Sequence, residues 1–108
     1  MKKILKNNEK TNEYLKSLTP VYIIACWANW GIREYPFSGE FTKVKYPGQK
    51  DWIYIPLVWD YNDHNGYADQ YELIRLDHTT TGHIFDWTFN KHTAEILVKY
   101  LQGKREKE

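Results

Sequence analysis

Residues 59–69 place Asp60, Asp63 and Asp69 among Trp59, Tyr61 and Tyr67. Tyrosine and tryptophan supply large, rigid contact area with a polar tip, and both are enriched where binding energy concentrates. Carboxylates set between them suit a partner whose groove is lined with arginine or lysine, because complementary charge speeds encounter and selects the partner. The chemistry this spacing predicts is recognition. Trp59, Asp60, Tyr61, Asp63, Tyr67 and Asp69 are expected to form a protein-binding face that engages a basic surface of a larger protein, a nucleic-acid-binding effector included.

The same stretch is a partial match to a calcium loop. Counted from Tyr61, Asp63, Asn65, Gly66, Asp69 and Glu72 fall at positions 3, 5, 6, 9 and 12 of an EF-hand register. Position 1 fails, since Tyr61 offers no carboxylate, and the flanks read as strands. A polar turn around Asn65-Gly66 accounts for the loop better. His64, His78, His83 and His92 show no helical ligand spacing, although His78 and His83 flank one short loop. Cys26 lies in an apolar run, where a cysteine is usually inert. Ser17 and Ser38 lack an elbow motif, and the six glycines are scattered rather than gathered in a phosphate loop. The residues therefore predict no catalytic group, no metal and no cofactor.

A rival recognition chemistry sits upstream. Arg33, Lys43, Lys45 and Lys50 stand near Tyr35, Phe37 and Tyr46. Rings on which bases stack, beside cations that follow a phosphate backbone, are the ingredients of a single-stranded nucleic-acid site, and an OB-like barrel would organise them. Arg33, Tyr35, Lys43, Lys45 and Tyr46 are the residues of this alternative. A net charge of +1 is far from the basic excess such domains usually carry.

Charge is segregated along the chain. Residues 1–50 carry a net +5, residues 51–90 a net −6 with Arg75 their only cation, and residues 91–108 a net +2. Such asymmetry bears on partners rather than on fold. The plainer account is that basic helices face an acidic sheet edge within one molecule.

The elements that must position these residues follow from periodicity. Residues 8–18 form a short amphipathic helix with Tyr14, Leu15 and Leu18 on one side, Thr11 as its cap and Pro20 ending it. Residues 21–30 are β-branched or aromatic on both alternating faces, as expected of a central strand covered on both sides, with a turn at Gly31. Residues 40–46 alternate as a half-solvated strand, and Pro47-Gly48 is a turn. In the strand 51–59, Ile53, Ile55, Leu57 and Trp59 share a face, and Pro56 requires an edge or a bulge. Strands at 69–77 and 82–89 read as a hairpin joined through 78–82. Asn90 caps a last helix whose Ala94, Leu97, Val98 and Leu101 form one stripe; Gly103 stops it. Strands without intervening helices predict an α+β fold: an antiparallel sheet of about five strands, the C-terminal amphipathic helix packed on one face, and the short N-terminal helix on the other face or an edge.

A chain of 108 residues fits a single domain, 1–108. Its 5 Trp, 9 Tyr and 4 Phe exclude a disordered chain. A small domain needs bulky residues inside, and Trp27, Trp52, Phe85 and Trp87 are the core candidates. Trp30, Tyr35, Trp59, Tyr61 and Tyr67 stand at element ends or in loops, where packing explains them less well. No apolar run approaches the roughly 20 residues of a membrane span. Lys2 and Lys3 are not followed by a signal peptide's apolar region, and a lone thiol suits a reducing interior; a cytoplasmic protein is expected.

The segment Phe89-Asn90-Lys91-His92-Thr93-Ala94-Glu95, the apolar helix after it and the charged tail Gly103-Lys104-Arg105-Glu106-Lys107-Glu108 resemble, in style, the endings of small α+β accessory proteins of Gram-positive phages and mobile elements. That resemblance covers about 30 residues and carries no residue-level role. It implies an inhibitor of host defence, anti-CRISPR proteins among the examples, that acts by occupying a nucleic-acid or regulatory surface.

Overall fold

The computed structural model describes residues 3–62, 69–80 and 82–106. In chain order the elements are β1 (Ile4–Lys6), α1 (Glu9–Ser17), β2 (Pro20–Cys26), β3 (Trp30–Val44), β4 (Ile53–Asn62), β5 (Gln70–Arg75), a 3-10 turn (Leu76–His78), β6 (His83–Thr88) and α2 (Lys91–Glu106). The strands form an antiparallel sheet in the order β1-β5-β4-β3-β2-β6. The fold is α+β, as the sequence predicts, with six strands rather than about five. An OB-like barrel, which closes on itself, does not have this order. Among the described residues no helix is long and apolar enough to cross a membrane.

The chain divides into two compact units, one holding 1–18 and 36–79, the other 19–35 and 80–108. In the first, β4 pairs with β3 through Thr42↔Ile55, Lys43↔Tyr54 and Val44↔Ile53, and with β5 through Leu57↔Arg75 to Asn62↔Gln70. Pro56 is buried in an interior strand rather than at an edge. The bulge it demands is present: from Phe37↔Val58 to Phe41↔Pro56, β3 advances four positions while β4 advances two. Gly39, inside that irregularity, has φ +91°, a left-handed geometry that favours glycine. The β1 strand joins β5 through Ile4↔Glu72 and Leu5↔Tyr71. Asn8, not Thr11, caps α1, its side chain accepting from the Thr11 N–H at 2.8 Å. Leu15 is the buried residue of that helix.

In the second unit, Val21–Ala25 of β2 are all buried, which is the two-sided coverage their composition predicts. Tyr22 and Ile24 pack with Ala94 and Leu101 of α2, flanked by Trp30, Ile32, Leu97 and Val98. The Asn90 cap holds: its side chain accepts from the Thr93 N–H at 2.9 Å.

Several expectations are corrected. The turn after β2 occupies 27–29, and Gly31 lies within β3. Residues 31–39, to which the periodicity assigned no element, belong to that strand. Strands β5 and β6 do not pair; β6 pairs with β2, and β5 with β4 and β1, so the expected hairpin through 78–82 is not formed. The α2 helix runs through Gly103 to Glu106, since a single glycine weakens a helix without ending it. Trp52 and Phe85 are 53% and 50% exposed, not core. Phe85 is the extra residue of a bulge, between Ala25↔Ile84 and Ile24↔Asp86, its ring edge-on to Trp30. Trp27 and Trp87 are half-buried. Trp27 donates Nε1–H to Thr80 Oγ1 at 2.6 Å, and Gly82 lies so near that a Cβ there would sit 2.8 Å from that nitrogen.

Candidate functional site

The acidic and aromatic residues of 59–69 do not all reach the surface. Trp59 is 8% exposed, in the stretch of β4 where Ile55, Pro56 and Val58 are buried as well. Its Nε1 is buried and, among the described residues, has no hydrogen-bond partner. Asp60 is half-buried and stands across from Glu72. Tyr61, 44% exposed, and Asp69, exposed, do come together. Asp69 Oδ1 accepts from the Tyr61 hydroxyl at 2.6 Å and from Asn7 Nδ2 at 2.7 Å. Those two donors, with a smaller contribution from the charge of Lys6, hold the Asp69 carboxyl below its usual range. The Tyr61 ring meets Tyr71 edge-on at 5.4 Å. Asp63 and Tyr67, and with them most of the calcium-loop register, lie outside the described residues. The structure thus removes Trp59 from the expected face, leaves Asp60 partly covered, and keeps Tyr61 with Asp69.

The basic set is divided as well. Tyr35 is buried, 8% exposed, and Arg33 lies over the Trp27 ring at 4.3 Å; both belong to the second unit. Tyr46 is engaged within the first unit: its hydroxyl donates to Asp77 Oδ2 at 2.5 Å. Arg75 forks onto the same carboxylate, Nε to Oδ1 at 3.0 Å and Nη2 to Oδ2 at 2.6 Å. Burial pushes the Asp77 carboxyl up, but the bonds from Arg75 and Tyr46, together with the Arg75 charge, outweigh it and leave the pKa lowered. The hydrogen bond to Asp77 raises the Tyr46 hydroxyl and the Arg75 guanidinium in turn. This cluster ties the β3–β4 turn to the 3-10 segment. The turn itself is dictated locally: Gln49 N–H donates to Tyr46 O at 3.1 Å, Pro47 fixes its φ, and Gly48 has φ +85°, as a type II turn requires.

Lys43 and Lys45 remain, in company the sequence reading did not give them. Successive residues of a strand point to opposite faces. Phe41, Lys43 and Lys45 therefore share a face of the hairpin, and Lys43 stands directly across from Tyr54. On that face Tyr54 is 60% exposed, Trp52 53% and Phe41 46%. The Lys43 and Lys45 ammoniums lie 5.2 and 5.9 Å from the Trp52 ring centroid, within cation–π range. The Phe41 ring packs against Phe37 at 5.1 Å. Trp52 and Tyr54 are the residues missed. Their signal was the alternation with Ile53 and Ile55 at the start of β4, which sets 52 and 54 on the opposite face beside the turn.

Among the described residues no three of His, Cys, Asp and Glu gather where they could hold a metal ion. The arrangement of exposed rings and ammoniums can stack on flat apolar groups and pair with anions. Comparison with protein-family models, curated proteins and solved structures found no match.

Proposed function

We propose that this protein is a non-enzymatic binding module that takes single-stranded nucleic acid on the exposed face of the β3–β4 hairpin. The observation that carries the reading is one continuous patch: Trp52 and Tyr54 more than half exposed beside Lys43 and Lys45, both ammoniums over the Trp52 ring. Base-on-ring stacking with phosphate-to-lysine pairing is the interaction such a patch offers. The net charge of +1 does not oppose it, because Lys43, Lys45 and Lys50 set the local field at this end of the hairpin. The test is anisotropy of a labelled oligothymidylate against the full chain. Binding is expected at low salt and is expected to weaken steeply as salt is added; a flat titration at low salt disposes of the proposal.

A second reading is favoured by one observation, the exposed Tyr61–Asp69 pair. Here the chain is a protein-binding inhibitor or adaptor, a phage or mobile-element anti-defence protein, that sets an acidic aromatic surface against a basic surface of a larger protein. Capture of such a partner from a cognate cell should be lost on charge reversal at Asp69 and Asp60. Capture unaffected by both reversals would exclude this face.

A further inference from the structure

Resting on the nucleic-acid reading, we infer that the β3–β4 face holds an unstacked two-nucleotide step, with one ring and one lysine for each nucleotide: Trp52 with Lys45, and Tyr54 with Lys43.

The register sets this geometry. Lys43 opposes Tyr54 and Val44 opposes Ile53, and the same pairing continued by one residue brings Lys45 opposite Trp52, over whose ring it lies. Positions two apart on one strand are about 6.8 Å apart at roughly 3.4 Å per residue. Stacked bases are spaced at about 3.4 Å along each strand of a duplex. Two successive bases cannot meet both rings while stacked on each other, so the face fits a splayed strand and excludes an intact duplex. Each ring then has a cation across the strand pair to meet the adjoining phosphate.

The lysines also define what the site refuses. In the protein alone they lie over Trp52, on the surface a base would use. A phosphate draws an ammonium more strongly than an aromatic face at an exposed site does. A strand that brings phosphate therefore uncovers the ring on which its own base stacks. A free nucleoside brings the base without that charge and leaves the ring covered. Of the carboxylates nearby, Glu40 is paired with Lys3 at 3.6 Å, and Asp51 is an exposed bend residue just before β4. Phe41, across from buried Pro56 and packed on Phe37, closes the patch on its apolar side.

The experiment compares single-stranded oligothymidylate, a duplex of the same length and thymidine on the full chain and on four variants at exposed positions, with circular dichroism to show that each variant folds. The single strand is expected to bind at least tenfold more tightly than the duplex, and thymidine not to bind. W52A and Y54A should each lose about tenfold in affinity with an unchanged salt slope. K43Q and K45Q should each flatten the slope of log affinity against log salt by about 0.7. Equal binding of duplex and single strand, or lysine variants that keep the full slope, would overturn the two-nucleotide register while leaving nucleic-acid binding in place. No binding of any oligonucleotide removes the underlying reading and the register together. Binding of poly-glutamate in its place would assign the patch to an acidic protein segment and overturn both.

Discussion

Ile24→Ala is expected to lower the unfolding free energy by about 2–5 kcal/mol, and Ile24→Val by about 0.5–1.5 kcal/mol. Ile24 is fully buried on β2 and packs with Tyr22, Ala94 and Leu101. Truncation removes buried carbon from a cluster in which Ala94 of α2 has no side-chain rotamer with which to fill the space. Leu97 and Val98 pack against the same cluster, and whatever part of the cavity they do not fill adds to the lost transfer energy. Domains of this size are stable by about 5–15 kcal/mol, so the alanine variant gives up a large share of the total. Denaturant unfolding at constant m-value measures the difference. A loss below about 1 kcal/mol for the alanine variant would mean that α2 does not seal this face of β2.

Asp77→Ala is expected to destabilise by about 2–3 kcal/mol, since hydrogen bonds to charged groups contribute about 1.5–3 kcal/mol and the substitution removes three at once. It also leaves Arg75, whose side chain is 28% exposed, without its counter-charge. The effect has a defined pH dependence. The Asp77 pKa is lowered by folding, so its contribution is complete above the ordinary value of 3.8 and is lost as pH falls through the folded value. The Tyr46 pKa is raised, so its contribution is complete below the ordinary value of 10.0 and is lost as pH rises through the folded value. The stability gap between wild type and D77A should therefore be flat near neutrality and narrow at both extremes. Tyr46→Phe should abolish the alkaline narrowing and, by removing one of the bonds that lower the Asp77 pKa, reduce the acid narrowing without removing it. Urea unfolding at acid, neutral and alkaline pH makes the comparison, and a gap that persists unchanged in acid would sink the account.

The elements whose apolar residues repeat without interruption were legible in the sequence. The α2 stripe and its Asn90 cap, the two-sided apolar run of β2 and the bulge demanded by Pro56 are all in place. What failed was long-range. Gly31, Pro36 and Gly39 break the alternation of 31–39, yet pairing with neighbouring strands carries β3 through all three. The three-residue β1 has too little pattern to announce itself and exists only because β5 offers it an edge. The candidate site turned on position along β4. Trp52 and Tyr54 stand on the face of β4 opposite Ile53 and Ile55 and are exposed at the start of the strand, whereas from residue 55 to residue 59 both faces are covered, Pro56 and Val58 as fully as Trp59. Bulk had suggested a core place for Trp52, and a position at an element end had suggested an exposed one for Trp59. Which ring faces water depends on where along β4 it stands as well as on its face, and not on the size of the side chain.

Neither unit is a continuous stretch of chain: 1–18 must wait for 36–79, and 19–35 must wait for 80–108. During synthesis, which proceeds from the N-terminus at about 5–20 residues per second, Ile4 leaves the ribosome long before its partner Glu72, and Tyr22 long before Thr88. The hydrophobic run of β2 is thus the first apolar strand made and one of the last to be covered, since α2 is translated at the end. That interval is when the apolar strand of the nascent chain stands without the helix that covers it.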